Sequence, residues 1–109
     1  MTKDNILRLD LYDLGLKVEA ALGKHVKEPN TDIAGAWFIV EHLRAEGLTV
    51  VIRTVSPDSK AVKSGEANSG DWVVKIVSES PVDNDVYWAH APELPEAVCR
   101  AFLIFHYGL

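Results

Sequence analysis

The amino-acid sequence predicts an α+β fold, in which about three helices pack on a three-stranded antiparallel sheet in the order α-α-β-β-β-α. Three observations support this: apolar residues recur at helical spacing in the first 47 residues, β-branched segments follow, and a last helical pattern ends the chain. The connections between the β-branched segments show no helical pattern, so the strands are expected to form a meander. A chain of 109 residues has the length of one domain, and we predict a single domain over residues 1–109.

The first helix is predicted over residues 4–22, where apolar side chains recur at three- and four-residue steps. These side chains are Leu7, Leu11, Leu14, Val18 and Ala21 or Leu22. Asp4 or Asn5 can cap the start, whereas Gly15 weakens the helix and is a candidate break. The segment ILRLDLYDL also alternates as a strand does, but the helical spacing that continues through KVEAAL favours a helix.

The second helix is predicted from the capping residues Asn30 or Thr31 to Gly47, since glycine commonly follows a helix end. Its apolar face comprises Ile33, Ala36, Trp37, Val40 and Leu43. Because Trp37 lies on this stripe, we predict that it belongs to the core.

Three strands are predicted over residues 48–55, 71–79 and 86–90, which are rich in β-branched and aromatic residues. Residues 56–70 are polar, contain Pro and Gly, and predict a long loop between the first two strands. Both faces of the second and third strands are largely apolar, so we expect each face to be partly covered by helix.

The last helix is predicted over residues 93–108, with Pro95 in its first turn and Gly108 at its end. Cys99 lies in mid-helix beside apolar positions, and we interpret it as a small buried hydrophobe. Arg100 is expected to point outward and to pair with Glu96, four residues earlier.

The charge pattern limits the function classes. The net charge is −5, and residues 64–109, with two basic and seven acidic side chains, contain the whole excess of negative charge. No basic run is present to neutralise phosphates, which argues against nucleic-acid binding. The longest apolar runs are far shorter than a membrane span, and the N-terminal acids do not fit a signal peptide. With one cysteine, no internal disulfide forms, so we expect a cytoplasmic protein without membrane contact.

The motifs for catalysis and metal binding are weak. The alternative from the enzyme class is a small hydrolase or transferase that uses Cys99 as nucleophile and His90 as base, but a reactive thiol needs exposed, electropositive surroundings. The four histidines lack the spacing of zinc ligands, and no phosphate-binding loop is present. We therefore predict no enzyme activity, no metal and no cofactor.

Aromatic residues on the predicted strands are the candidates for a binding surface, because tryptophan is frequent at the energetic centres of protein interfaces. The residues to which we assign partner binding are Trp72, Tyr87, Trp88 and His90. The competing interpretation is that these rings pack beneath the helices. Lys75 and Arg53 are expected to face solvent with Tyr87, and the 56–70 loop is a second place for binding residues.

Two segments resemble the phage ABA-sandwich domain family. NTDIAGAWFIVEHLRAEGL is similar to that family's S/T-T-D-I-A-x-A-W-x-V-V-E-x-L helix, and APELPEAVCRAFL is similar to its C-terminal A-P-x-A-I-C-R-A-x-L helix. The matching residues are Thr31, Asp32, Ile33, Ala34, Ala36, Trp37, Val40, Glu41, Leu43, Ala91, Pro92, Ala97, Val98, Cys99, Arg100, Ala101 and Leu103. The resemblance covers residues 31–103, with departures at Asn30, in the longer 56–70 loop and in the ending IFHYGL. It implies a small phage or prophage product, and it brings no established activity or catalytic residue.

Together these observations predict a non-enzymatic accessory protein, derived from a phage or prophage, in the cytoplasm of a bacterial host cell. It would bind an unknown protein partner, or associate with itself, through its acidic C-terminal part and the aromatic residues of the sheet and loop. A third hypothesis is mimicry of nucleic acid, in which Asp71, Glu79, Asp83 and Asp85 imitate phosphates.

Overall fold

The three strands form one antiparallel sheet in the order β1-β2-β3, in a computed structural model that describes residues 2–23, 33–65, 68–78 and 85–109. The strands are β1 (Thr49–Thr54), β2 (Trp72–Val77) and β3 (Val86–Ala91). The central strand, β2, pairs with both neighbours, so the predicted meander is confirmed.

Five helical segments accompany the sheet in the described ranges. They are α1 (Lys3–Arg8), α2 (Leu11–Leu22), α3 (Ile33–Ala45), α4 (Lys60–Lys63) and α5 (Leu94–His106). The predicted α+β class and the order of the long helices and strands are confirmed. Two details differ: the first predicted helix is divided into α1 and α2, and the predicted 56–70 loop contains the one-turn helix α4.

The last helix, α5, is the centre of the hydrophobic core. Every residue from Pro95 to Ile104 is buried except Glu96, and α5 contacts α1, α2, α3, β2 and β3. A helix that is apolar on nearly all sides is stable only where other elements surround it. The core cluster accordingly joins residues from every long helix to the sheet.

The two faces of the sheet have different surroundings. The side chains that pack against the helical core are Val50, Ile52, Trp72, Val74, Ile76, Tyr87, Ala89 and Ala91. The opposite face, which we call the open face, consists of three rows of opposed residues: Thr49 with Val77 and Val86, Val51 with Lys75 and Trp88, and Arg53 with Val73 and His90.

The open face is covered by helix at one end, which agrees with the prediction that each face is partly covered by helix. Val62 of α4 and the adjacent Val55 pack against Val73 and Trp88. By contrast, Val86 remains 51% exposed. The short α4 is therefore a cover for one corner of this face and leaves its centre accessible.

The break between α1 and α2 lies at Leu9 and Asp10 rather than at the predicted position, Gly15. Leu9 has an extended ψ of 136° and ends α1. Asp10 begins α2 as its cap, because its side-chain oxygen accepts a hydrogen bond from the Asp13 N–H at 2.8 Å. One consequence is that Leu11, predicted on the apolar stripe, is 42% exposed.

Arg100 explains why the chain breaks where it does. Its Nε donates to Glu96 at 2.9 Å, as the spacing predicts. The prediction that it points outward is wrong, since the residue is 7% exposed. Its Nη1 donates to the Ile6 carbonyl at 2.6 Å and its Nη2 to the Leu9 carbonyl at 2.8 Å, so the guanidinium caps the end of α1.

The buried face of α3 is rotated relative to the prediction. Ala36 is buried together with Ile39, which the predicted stripe omits, whereas Trp37 is 50% exposed and Ile33 is 55% exposed. The core assignment of Trp37 is therefore wrong. The physical reason is that α3 packs on α5, and the face that it buries includes the small residues Gly35 and Ala36 rather than Trp37.

The predicted helix ends at glycine are confirmed for α3 and α5. Gly47 has a φ of 84°, a conformation that favours glycine. The Leu48 N–H donates to the Leu43 carbonyl at 3.1 Å and the Gly47 N–H to the Arg44 carbonyl at 3.0 Å, which is a Schellman motif. Gly108 ends α5 with the same pair of bonds.

We predict that Arg100→Ala lowers the free energy of unfolding by about 3 kcal/mol, because it leaves a carboxylate and two helix-end carbonyls without their donor in a buried site. Arg100→Lys is expected to recover only part of this loss, since an ammonium does not reproduce the fork of a guanidinium. Chemical denaturation followed by circular dichroism measures both values.

Arg44→Ala is the matched control. Arg44 bonds to Glu41 at 2.7 Å, but the two side chains are 61% and 50% exposed. Its loss is therefore expected to change the free energy of unfolding by less than about 0.5 kcal/mol. If Arg100→Ala were as stable as Arg44→Ala, the guanidinium would not be what holds α1 against α5.

Candidate functional site

A groove of about 560 Å³ crosses the open face of the sheet. The strands contribute Arg53, Thr54, Val73, Lys75, Val86 and Trp88. The adjoining wall is formed by Val55, Ser56, Ser59 and Lys60. The site therefore combines the part of the open face that α4 does not cover with the segment that leads into α4.

Serine side chains shape the wall of the groove. The Asp58 N–H donates to Ser56 Oγ at 3.2 Å, which tightens the turn after β1. The Val62 N–H donates to Ser59 Oγ at 3.2 Å, which caps α4. These two local bonds turn the chain back over the sheet and bring Val62 onto Val73.

Three cations line the groove: Arg53 of β1, Lys60 of α4 and Lys75 of β2. Among the described residues, none of them has a carboxylate within ion-pair distance, and no Asp or Glu lines the groove. The groove is thus a positively charged surface on a chain whose net charge is −5. Such a groove attracts anionic groups, because no acidic side chain among its lining residues opposes them.

Trp88 lies at the edge of this groove and is held in place from two sides. The Lys3 ammonium is 4.8 Å from the centre of its ring, a cation–π contact. The His90 ring stacks against it with centroids 6.0 Å apart. Trp88 also lines a second, smaller pocket of about 330 Å³ between α1 and β3.

His90 is oriented by a buried carboxylate. Its Nδ1–H donates to Asp71 Oδ2 at 3.2 Å, and Asp71 is 5% exposed. The same oxygen accepts the Asn68 N–H at 3.2 Å, while the Val55 N–H donates to the Asp71 carbonyl at 2.7 Å. Asp71 therefore links the chain on both sides of α4 to β3 and fixes the ring beside Trp88.

The structure separates the four residues to which the sequence assigns partner binding. Trp88 and His90 share the open face, as their alternate positions on one strand require. Trp72 and Tyr87 lie on the other face and pack against the helical core. Tyr87 makes an edge-to-face contact with Phe105 at 5.4 Å between ring centres.

The sequence reasoning placed Arg53 and Lys75 at the solvent surface but did not join them to Trp88 or to Lys60. The strand register brings them together. Lys75 lies directly opposite Trp88 on one side and Val51 on the other, and Arg53 is two residues after Val51 on β1. The signal in the sequence was one cation within each of two otherwise apolar strands. These two cations indicate a site only when the pairing register of the strands is known.

Cys99 is sealed in the core at 0% exposure. Burial raises the pKa of its thiol to about 12; the nearby Arg100 charge opposes the increase and Glu96 adds to it. A thiol with this pKa is protonated at neutral pH, and the thiolate is the form that acts as a nucleophile. These surroundings are those of a structural cysteine, as the sequence interpretation proposed.

Two acidic residues of the C-terminal part, Asp71 and Glu96, are bonded within the protein. Asp71 is buried beside His90, and Glu96 is bonded to Arg100. Glu79 and Asp83 lie outside the described residues. Because Asp71 is buried, it cannot imitate an exposed phosphate, and this removes one of the four charges that the mimicry hypothesis requires.

Two searches of the described residues concern other classes of function. In residues 2–23, 33–65, 68–78 and 85–109, no three His, Cys, Asp or Glu side chains come together as metal ligands would. His25, one of the four histidines, lies outside these ranges. Within the same part of the chain, no helix has the length and apolar character to span a membrane.

Comparisons of the chain with models of protein families, with curated proteins and with solved structures found no match. The resemblance to the phage ABA-sandwich domain family therefore stays a prediction. The case for a function rests on the geometry of the site.

We predict that Cys99 in the folded protein reacts with iodoacetamide more than about 100-fold more slowly than in denaturant, because reaction requires opening of the core. Mass spectrometry of quenched samples measures the two rates. The matched control is Ala20→Cys in a Cys99→Ala background, since Ala20 is exposed on α2 and a thiol there should react equally fast in both states. Equal rates for Cys99 itself would show that the thiol is accessible.

The raised pKa also predicts a loss of stability at alkaline pH. The unfolded thiol releases its proton near 9.0, whereas the folded thiol keeps its proton up to a pKa of about 12. Between these values the unfolded state binds fewer protons, so the free energy of unfolding falls by up to about 1.4 kcal/mol per pH unit. Cys99→Ala should lack this contribution. Denaturation curves from about pH 8 to about pH 11 compare the two proteins, and identical pH slopes would contradict the assignment.

Proposed function

We propose that this protein is a non-enzymatic binding module that recognises another protein through the open face of its sheet. The observation that supports the proposal best is the groove, in which Trp88 lies beside three cations without carboxylate partners in the described residues. Tryptophan and arginine are enriched at the energetic centres of protein interfaces. The groove therefore has the composition of a recognition surface.

The rigidity of Trp88 supports the same proposal. Its ring is packed against Val73 and Val55, stacked on His90 and covered on one side by Lys3. A side chain that is already fixed loses little conformational freedom when a partner binds, so more of the contact energy appears as affinity. The Asp71–His90 bond contributes to this rigidity without contact with the partner.

Exposed apolar area beside the groove adds to the argument. Val86 lines the groove at 51% exposure and Val51, on β1, is 39% exposed. An apolar centre surrounded by charged groups is the common anatomy of an interface. The proposed contact region is thus the open face, which includes Trp88 and His90 from the sequence-based prediction but not the acidic C-terminal part.

The alternative function, a hydrolase or transferase that uses Cys99 and His90, is not favoured by the surroundings of either residue. It needs Cys99 as an accessible thiolate, and burial gives this thiol a pKa of about 12. The His90 Nδ1 is engaged by Asp71, and the ring lies on the open face, whereas Cys99 lies in the core on the other side of the sheet.

The proposal also includes a phage or prophage origin and an accessory role in a bacterial host, as the resemblance implies. The genes that flank the coding sequence provide the direct check. Neighbouring genes for capsid, tail or lysis proteins would agree with this origin, and a conserved housekeeping operon would contradict it.

We predict that a photo-crosslinking amino acid at position 51 captures one partner protein in cells that express the chain, because Val51 lies on the open face. The matched control is the same amino acid at Tyr12, which is 74% exposed on α2. The captured protein is identified by mass spectrometry, purified and titrated against the unmodified chain. Trp88→Ala is expected to weaken this binding by at least about tenfold.

A second variant separates binding from folding. Val51→Glu places a charge on the open face at an exposed position and should weaken binding while the melting temperature stays the same. The proposal fails if positions 51 and 12 capture the same proteins, or if neither variant changes the affinity of the purified partner. Capture of a second copy of this chain at position 51 would replace the proposed partner by self-association.

A further inference from the structure

The charge of the open face is opposite to that of the protein as a whole. Its nine residues include Arg53, Lys75 and His90 but no Asp or Glu, although the chain has 16 acids and 11 Lys and Arg residues. Lys60 adds a third permanent positive charge from the wall of the groove. A face without acidic residues on its strands, on a protein with a net negative charge, suits an anionic partner.

Asp71 and Asp58, two carboxylates close in sequence to the groove, do not neutralise it. Asp71 is buried and holds His90 and the Asn68 N–H. Asp58 lies on the turn and does not line the groove. The cations can therefore bind an incoming anion without first breaking an ion pair among the described residues.

The spacing of the cations fits an extended peptide. Arg53 and Lys75 are diagonal neighbours on adjacent antiparallel strands, which places their Cβ atoms about 7 Å apart. In an extended chain, side chains at positions i and i+2 point the same way and are about 7 Å apart. Two acidic residues separated by one residue therefore match Arg53 and Lys75.

The position of Trp88 adds a third requirement. Trp88 is directly opposite Lys75 on β3, and Val86 lines the groove beside it. Arg53 and Trp88 are two strands apart and offset by two residues along the strand, a span of about 12 Å, or four to five residues of an extended segment. Because side chains alternate along such a segment, the next side chain that points to the sheet lies two residues after the second acidic residue. An apolar or aromatic side chain at that position packs best on the indole ring.

We propose that the groove binds an acidic segment of the partner protein, with the pattern acidic, any residue, acidic, any residue, apolar. This inference rests on the proposed function and specifies the chemistry of its partner. Arg53 and Lys75 bind the two carboxylates, Lys60 closes over them from the wall, and Trp88 receives the apolar side chain. Charge-assisted hydrogen bonds to carboxylates supply the specificity, and the indole contact supplies most of the buried apolar area.

A peptide fits these observations better than a nucleic acid. Single-stranded nucleic acids bind to several stacking rings in a row and to a continuous basic track. The groove offers one tryptophan and three Lys or Arg side chains. A polyanion that extends more than about 10 Å beyond the groove is repelled by the rest of the protein, because the net charge is −5. A short acidic segment stays within the groove and avoids this repulsion.

The experiment uses three fluorescein-labelled probes with the full-length protein. They are the peptide Ser-Glu-Ser-Glu-Ser-Phe, its counterpart with both glutamates replaced by glutamine, and a tetrathymidylate oligonucleotide. Fluorescence anisotropy is recorded at low and high salt. The glutamate peptide is expected to bind, at least about fivefold more tightly than the glutamine peptide, and to weaken as salt rises.

Variants assign the binding to the groove. Arg53→Gln and Lys75→Gln should each weaken the glutamate peptide by about fivefold and leave the glutamine peptide unchanged. The matched control is Lys63→Gln, which removes the same charge from an exposed residue of α4 that does not line the groove. In ¹⁵N spectra, the three indole N–H signals are followed during titration with the glutamate peptide, and Trp88→Phe identifies the signal of Trp88. That signal should shift more than those of the other two tryptophans.

The outcomes distinguish this inference from the proposed function. Equal binding of both peptides, an equal loss with Lys63→Gln, or tighter binding of tetrathymidylate would overturn the acidic-segment inference. If position 51 still captures a partner whose affinity depends on Trp88 but not on Lys75, the proposed function survives alone. If the glutamate peptide binds with the expected variant pattern and no partner is captured, the specificity of the groove stands and the proposed function fails.

Discussion

The arrangement of the helices depends on the buried guanidinium of Arg100. Removing a charge from water costs several kcal/mol unless the protein provides partners for it. Here the partners are the Glu96 carboxylate and the carbonyls of Ile6 and Leu9 at the end of α1, where the helix dipole is negative. The contacts that satisfy this charge also fix α1 against α5. Because α1 is fixed, its residue Lys3 reaches the ring of Trp88, and the core interaction thereby helps to shape the open face.

The parts of the fold that local pattern determines were predictable from the sequence. The strands, the mainly apolar α5 and the glycines after α3 and α5 each follow from residues close in the chain. The break at Leu9 was not predictable, because the group that stabilises it lies 91 residues away. The rotation of α3 was missed for a related reason. Two overlapping apolar stripes fit its sequence, and the choice between them depends on the packing of α3 on α5.

The candidate site shows the same division between local and distant information. That Trp88 and His90 share a face follows from alternation along one strand. That Lys75 lies opposite Trp88, and Arg53 diagonal to Lys75, depends on the register of three strands. Turn geometry contributes to the register of β1 with β2, and among the described residues between these strands, serine hydroxyls and the buried Asp71 make the bonds that shape the chain. Hydrophobic periodicity contains no record of these polar bonds, so Lys60 could not be joined to the site from the sequence.

The cations of the open face have a second physical explanation, which the position of Lys75 helps to evaluate. Edge strands commonly carry charged residues that prevent pairing with another sheet, and Arg53 on β1 is placed to act in this way. Lys75 is on the central strand, where both sides of the backbone are already paired and no edge needs protection. It is half-buried, and within the described residues it has no carboxylate partner, so the folded chain bears a desolvation cost there without a compensating ion pair. An anion in the groove would supply that missing interaction, which is why Lys75 argues for recognition more strongly than Arg53 does.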